Sequence, residues 1–111
     1  MTELLKENSI VCMGNPLLDI SASVKPDMLS KHQLKANDAI LTEGEEIFND
    51  LLSEYKESVE YIAGGATQNG TRVAQWILGK PNVTAYMGCV GDDDNRRILE
   101  EKAKKAGVNV K

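Results

Sequence analysis

Residues Tyr61–Gly70 read YIAGGATQNG, and the reading of this stretch decides the fold. An apolar run halts at two adjacent glycines. Small and polar residues then open a helical pattern that carries Val73, Trp76, Ile77 and Leu78 as its apolar side. A strand ending on Gly64–Gly65 and a helix beginning near Thr67 make a strand–helix junction. The first amides of such a helix have no intrahelical acceptor and face the space beyond the strand's C-terminal end, where open α/β sheets bind ligands. Glycines at that point let a ligand approach the backbone itself. Asn69 falls in the first turn, on the side of Val73 and Trp76, so its carboxamide is expected to face inward and to offer a donor and an acceptor to a hydroxyl. The alternative is a tight turn with Asn69 capping locally.

Working outward from the junction, Ser9–Gly14 is a short apolar run closed by Gly-Asn-Pro, which reads as a buried strand and a turn. Leu17–Val24 alternates, with Leu18, Ile20, Ala22 and Val24 on one side and Asp19, Ser21 and Ser23 on the other. Pro26 stands near the start of a single helical turn. The piece AILT from Ala39 is expected to be extended. Thr42 and Glu45 then form a capping box ahead of an amphipathic stripe of Ile47, Phe48, Leu51, Leu52 and Tyr55. VTAYMGCVG from Val83 is another nearly continuous apolar strand. Asp92–Asp94 open a helix in which Ile98, Leu99, Ala103 and Ala106 share a face, with lysines at 102, 104 and 105 at its negative end and Gly107 as its stop. VNVK begins one more strand. Strands alternating with helices predict an α/β layer structure with parallel pairing. The chain stops as a strand begins, so the expectation is a sheet cut short, marginally stable or aggregating when isolated.

Composition narrows the function. The 111 residues suffice for one compact core, and the formal net charge of −4 argues against a nucleic-acid partner, which needs clustered Lys and Arg. No apolar run approaches the roughly 20 residues of a membrane span, and MTELLKENS lacks a signal peptide's apolar region. Cys12 and Cys89 sit in apolar runs without metal-ligand spacing, and His32 is the only histidine, so free buried thiols in a reducing compartment are expected and no metal site. Cytoplasmic location follows as the expectation, with a nuclear one also compatible. Asn69 and Asn82 match the glycosylation pattern, read here as chance without a secretory signal.

The standard phosphate loops fail. Gly79-Lys80 is followed by Pro81, not by the rest of a Walker loop, and GGATQNG lacks the dinucleotide spacing. Acids in MGCVGDDD would repel a phosphate. Asp19, after the Gly-Asn-Pro turn, could accept two hydrogen bonds from a vicinal diol. Taken alone it reads more simply as a solvent-facing strand acid.

Together the stretches are specific. VCMGNPLLDISASV, AGGATQNGTRVAQWIL and MGCVGDDD, in this order and at these intervals, closely resemble the N-terminal part of the adenosine kinases, a group within the ribokinase-like (PfkB) carbohydrate kinase family. The resemblance runs from about Ser9 to Lys111. It implies a three-layer α/β/α large domain with a small, partly β lid. Leu17–Val24 and Ala39–Leu41 would be lid or hinge pieces, and the remainder would belong to the large domain. By the same resemblance Asp19 binds the ribose diol, and Asn69 with the Gly64–Gly65 backbone binds ribose hydroxyls. Asn15, Leu17, Leu41 and Ala66 line the nucleoside pocket. The implied reaction moves the γ-phosphoryl group of ATP, with Mg²⁺, to the 5′-hydroxyl of adenosine to give AMP. The implied parent enzyme is a monomer.

The family's general base lies in a C-terminal GAGD motif that this sequence lacks, so no catalytic residue is assigned and the 111 residues alone are expected to be inactive. Ala66 stands where the family often has Ser, and Arg96 where it has Gly. Another sugar kinase of the family, or a non-catalytic nucleoside-binding module, are the alternative functions.

Overall fold

The computed structural model describes residues 4–44 and 46–111. Its element order is β1 (Ile10–Met13), β2 (Leu17–Ser21), α1 (Pro26–Lys31), α2 (Glu46–Tyr55), β3 (Glu60–Gly64), α3 (Ala66–Leu78), β4 (Thr84–Met87), α4 (Asp94–Lys105) and β5 (Asn109–Val110). One sheet runs β1-β4-β5 and a second pairs β2 with β3. The three-stranded sheet is parallel, with Ile10 opposite Thr84 and Met13 opposite Met87 on one side of β4, and Ala85 opposite Asn109 on the other. Two compact units divide the chain. One comprises Met1–Asp19 with Tyr61–Lys111, the other Ile20–Glu60.

In the first unit the β4 segment is the centre of the core: Val83, Ala85 and Tyr86 are buried, and so are Leu99 and Ala103 of α4 and Val108 beyond it. α4 forms as its sequence dictates. The side chain of Asp93 caps it by accepting the Arg96 amide at 2.8 Å, and lysines occupy its last turn, where the helix dipole favours cations. Ile98, Leu99, Ala103 and Ala106 turn inward, fully or half buried. Every fully exposed position of α4 is polar or charged.

α3 reverses the expected orientation. Val73, Trp76 and Ile77, expected inside, are 53%, 81% and 70% exposed, while Gln68, Thr71 and Gln75 are buried. The reason lies in what the sheet asks of the helix. Gln75 Oε1 accepts both the amide (3.1 Å) and the hydroxyl (2.9 Å) of buried Thr84, and its Nε2 donates to the Lys80 carbonyl at 2.6 Å. Thr71 returns its hydroxyl to the Thr67 carbonyl at 2.8 Å. A buried polar residue with its partners in place is as good a core element as an apolar one.

The second unit is looser. Its helix α1 begins at Pro26 and α2 carries the expected stripe, but Ile47, Leu51, Leu52 and Tyr55 are only half buried and Phe48 is exposed. Ile20, Val24, Met28, Phe48, Leu51 and Leu52 are among the residues lining an apolar cavity of about 230 Å³. β2 alternates as read, Leu18 and Ile20 half buried, Asp19 and Ser21 exposed.

Other expectations need correction. Ala39–Thr42 is neither helix nor strand. The strand from Val83 ends at Met87, so Cys89 lies past it and is exposed, while Cys12 is half buried; both are free. The Thr42–Glu45 capping box falls partly on Glu45, outside the described residues. Among the described residues no helix is long and apolar enough to cross a membrane.

Candidate nucleoside-binding site

Three pieces of the first unit build the site: the Asn15–Asp19 segment, the end of β3 and the start of α3. Gly64 and Gly65 are where they interlock. A Cβ on Gly64 would collide with the Asp19 carboxylate, its Cγ only 2.5 Å away. Gly65 has φ of +92°, and a Cβ there would lie 2.7 Å from the Asn15 carbonyl oxygen and 3.3 Å from the Leu17 amide nitrogen. Both glycines are therefore required by the protein's own chain. The space above Gly64 that the sequence was expected to reserve for a ligand is taken by the Asp19 carboxylate.

Gly65 is also the N-cap residue of α3, and among the described residues no side-chain hydrogen bond caps this helix start. Its carbonyl accepts the Asn69 amide at 2.8 Å. The amides of Ala66, Thr67 and Gln68 precede that bond and have no acceptor within the helix. The Thr67 hydroxyl sits over Gly14 at the end of β1, which holds the helix start against the sheet's C-terminal edge. Asp19, the uncapped amides and Asn69 thus follow one another along one edge.

Asn15, Asp19, Ala66 and Asn69 are all exposed, and Leu17 is 58% exposed, while Gly64 and Gly65 are buried. Asn69 lies on the flank of Val73 and Trp76 as expected, but that flank faces solvent: Asn69, Arg72, Val73 and Trp76 line an open hollow of about 310 Å³. Leu17 borders another hollow of about 330 Å³ with Pro16, Val90 and Arg96 among its walls. Leu41 belongs to the second unit and is 93% exposed.

Sequence reasoning missed Arg72. Its Nη1 donates to the Ala63 carbonyl at 2.8 Å, tying α3 to the residue before the glycine pair. Its place one turn after Asn69 was the available signal. Arg96 is engaged by Glu100 of α4 at 2.9 Å and by Asp92, just ahead of the helix, at 3.3 Å. The hydrogen bond from Glu100 comes first among the causes that raise its guanidinium above the ordinary value.

The arrangement can accept hydrogen bonds at Asp19, offer backbone amides at the α3 start, and do both at Asn69. That chemistry suits a polyol edge. It does not suit a triphosphate: Arg72 is the only charged residue of α3, and its Nη1 is held by Ala63. Among the described residues no group of three or more His, Cys, Asp or Glu side chains is placed to hold a metal ion.

Known proteins extend this picture. The chain is 49% identical over 100 residues to adenosine kinase 2 of Arabidopsis thaliana, a match covering 88% of this chain and 28% of the relative. It is 46% identical over 103 residues to the adenosine kinase of Dictyostelium discoideum, covering 92% of this chain and 30% of that one. The Anopheles gambiae adenosine kinase, solved in complex with P1,P4-di(adenosine-5) tetraphosphate, superposes with a TM-score of 0.74 at 49% identity, over 96% of this chain and 33% of that one. The apo Trypanosoma brucei brucei adenosine kinase gives 0.80 at 36% identity, over 95% and 32%. The chain therefore has the ribokinase-like fold of these kinases and spans about 28–30% of the curated relatives' length. The pattern of the pfkB family carbohydrate kinases matches residues 28–111. By that match over most of its length, this chain belongs to the pfkB carbohydrate kinase family.

Proposed function

We propose that this chain is the adenosine-binding portion of a nucleoside kinase that transfers the γ-phosphoryl group of ATP to the 5′-hydroxyl of adenosine, giving AMP. One observation carries the reading: the Asp19 carboxylate seated over Gly64, beside the uncapped start of α3, in a chain 49% identical to an adenosine kinase. A carboxylate there accepts two hydroxyls at once, the geometry of the ribose 2′,3′ diol. Asn69 and the Gly64–Gly65 backbone meet further hydroxyls. Asn15, Leu17 and Ala66 contribute to the pocket wall, Leu17 against the base.

Leu17–Val24 and Ala39–Leu41 are lid or hinge pieces of that kinase, and all of Ala39–Leu41 with most of Leu17–Val24 fall in the unit Ile20–Glu60. ATP and Mg²⁺ would be held by polypeptide other than these 111 residues, and no step of phosphoryl transfer is assigned to a side chain here. The enzyme acts as a cytoplasmic or nuclear monomer.

The test is a kinase completed by its C-terminal part. Asp19→Ala is expected to raise KM for adenosine at least tenfold, since a charged hydrogen-bond partner of the diol contributes about 1.5–3 kcal/mol. Unchanged kinetics would remove Asp19 from the site. A panel of adenosine against ribose and fructose derivatives separates a nucleoside kinase from a sugar kinase of the same family. A second reading is a nucleoside-binding module without catalysis. Calorimetric titration of the 111-residue chain with adenosine distinguishes it, because a module binds adenosine unaided.

A further inference from the structure

The five cations of α4 divide into two groups. Arg96 meets Glu100 and Asp92, Arg97 meets Asp94 at 2.6 Å, and Lys104 meets Glu100 at 3.5 Å. Lys102, half-buried, and Lys105, exposed, have no ion pair among the described residues, and both line one hollow of about 280 Å³. Arg72 reaches the same hollow from α3, and Tyr61, Ile62 and Ala106 are among its walls. Among the described residues no Asp or Glu lines it, although the chain has 17 acids against 13 Lys and Arg. The α4 dipole accounts for lysines in a last turn. It does not bring an arginine of another helix to them. Nor is Arg72 free to swing away: its Nη1 donates to the Ala63 carbonyl, and its Nε is buried without a partner among the described residues. Three like charges gathered in this way repel one another unless an anion lies between them.

We infer that this hollow is a binding site for a phosphate monoester, its phosphate held between Arg72, Lys102 and Lys105 and its organic part lying against Tyr61 and Ile62. The cations select phosphate: a fixed guanidinium and two ammonium groups recognise a tetrahedral oxyanion through charge-assisted hydrogen bonds. The walls select an ester. Free phosphate would use only the cationic side of the hollow and leave the half-buried Tyr61 ring and Ile62, 38% exposed, uncovered. The formal net charge of −4 disfavours a longer polyanion, whose further charges would meet acids beyond the hollow. Tyr61, Arg72, Lys102 and Lys105 all belong to the first unit, and neither Asp19 nor the glycine pair lines the hollow. The phosphate site therefore stands whether or not the chain binds a nucleoside.

The probe is phenyl phosphate, titrated calorimetrically into the 111-residue chain, with inorganic phosphate and phenol as its two halves. Phenyl phosphate should bind 1:1 and more tightly than either half, and raising salt from about 20 to 200 mM should weaken it, as screening requires. Lys102→Gln and Lys105→Gln should each weaken binding about fivefold or more. Lys104→Gln removes the same charge from α4 outside the hollow and should leave binding unchanged. Arg72→Lys keeps the charge, loses the fork and should weaken binding as well. A second measurement needs no substitution: phenyl phosphate should slow acetylation of Lys102 and Lys105 by a limiting reagent while Lys104 reacts at its usual rate. Absence of both binding and protection overturns the site. Equal losses in Lys102→Gln and Lys104→Gln, or equal protection of all three lysines, would mean that α4 attracts phosphate by charge alone, and overturn it too. Inorganic phosphate binding as tightly as the ester would leave Tyr61 and Ile62 without a part and overturn the monoester.

Discussion

Two helices packed on the same three-stranded sheet bury opposite chemistries. α4 turns Leu99 and Ala103 inward and shows solvent its charges; α3 turns Gln68, Thr71 and Gln75 inward and shows solvent Val73, Trp76 and Ile77. In α4 burial is driven by area removed from water. In α3 the bonds from Thr84 to Gln75 fix which strand group the helix faces, and the apolar side is left over. A helix of the first kind is complete with one neighbour. One of the second kind has two faces to satisfy.

The largest effect should come from the polar side of α3. Gln75→Met keeps volume but strands the Thr84 amide and hydroxyl, both buried, and frees the Lys80 carbonyl. A loss on the order of 3 kcal/mol in urea melts is expected. Gln68 sits on the same face, but neither its Oε1 nor its Nε2 has a partner among the described residues. Gln68→Met should therefore be neutral or stabilise by up to about 1 kcal/mol. Equal losses at both positions would mean that bulk, not hydrogen bonding, sets the α3 orientation, and the contrast with α4 would collapse.

Next is the apolar side of α4. Leu99→Ala should cost about 2.5 kcal/mol, toward the lower part of the usual range. Leu99 borders a hollow of about 80 Å³ with Tyr86 and Val110, into which neighbours can relax. A cost below about 1 kcal/mol would place α4 outside the core.

These outcomes bear on what the sequence made legible. Element order was readable because each boundary has a local chemical cause: Pro26 opens α1, Asp93 caps α4, and the alternation of β2 follows from one dry face. The orientation of α3 was not. Periodicity reports that a helix has an apolar side, and the inference that this side faces its own sheet assumes that the sheet offers apolar partners. Thr84 does not, and nothing local to Gln75 announces a threonine nine residues on. The glycine pair was legible as a close approach, but not what approaches: Asp19 lies 45 positions earlier, and only the fold brings its carboxylate over Gly64.

Tyr86 tests the floor beneath both helices. Its hydroxyl is buried without a partner among the described residues, and burial first, then the charge of Cys12, raises the phenol above its ordinary value of 10.0. The folded state thus favours the neutral phenol. Its contribution is fully present below pH 10 and is lost as pH rises through the higher folded-state value. Tyr86→Phe should be neutral or gain up to about 1 kcal/mol at pH 7, and its stability should fall less steeply above pH 10. An identical alkaline profile would show that Tyr86 ionises freely in the folded chain.

The smallest expected effect is the most diagnostic. Ile77 is 70% exposed on α3, and a side chain already in water has little transfer free energy to lose. Ile77→Gln in the 111-residue chain should change stability by no more than about 0.5 kcal/mol, the range of ordinary surface substitutions. The same isoleucine in a core would cost several times that. The measurement belongs at two protein concentrations tenfold apart. If Ile77→Gln is near neutral at both, the outer face of α3 is bare in the free chain, and its apolar character needs a reason outside these residues. If the cost appears only at the higher concentration, copies of the chain are covering α3 for one another. If it appears at both, Ile77 is packed within the chain, and α3 and α4 are helices of the same kind after all.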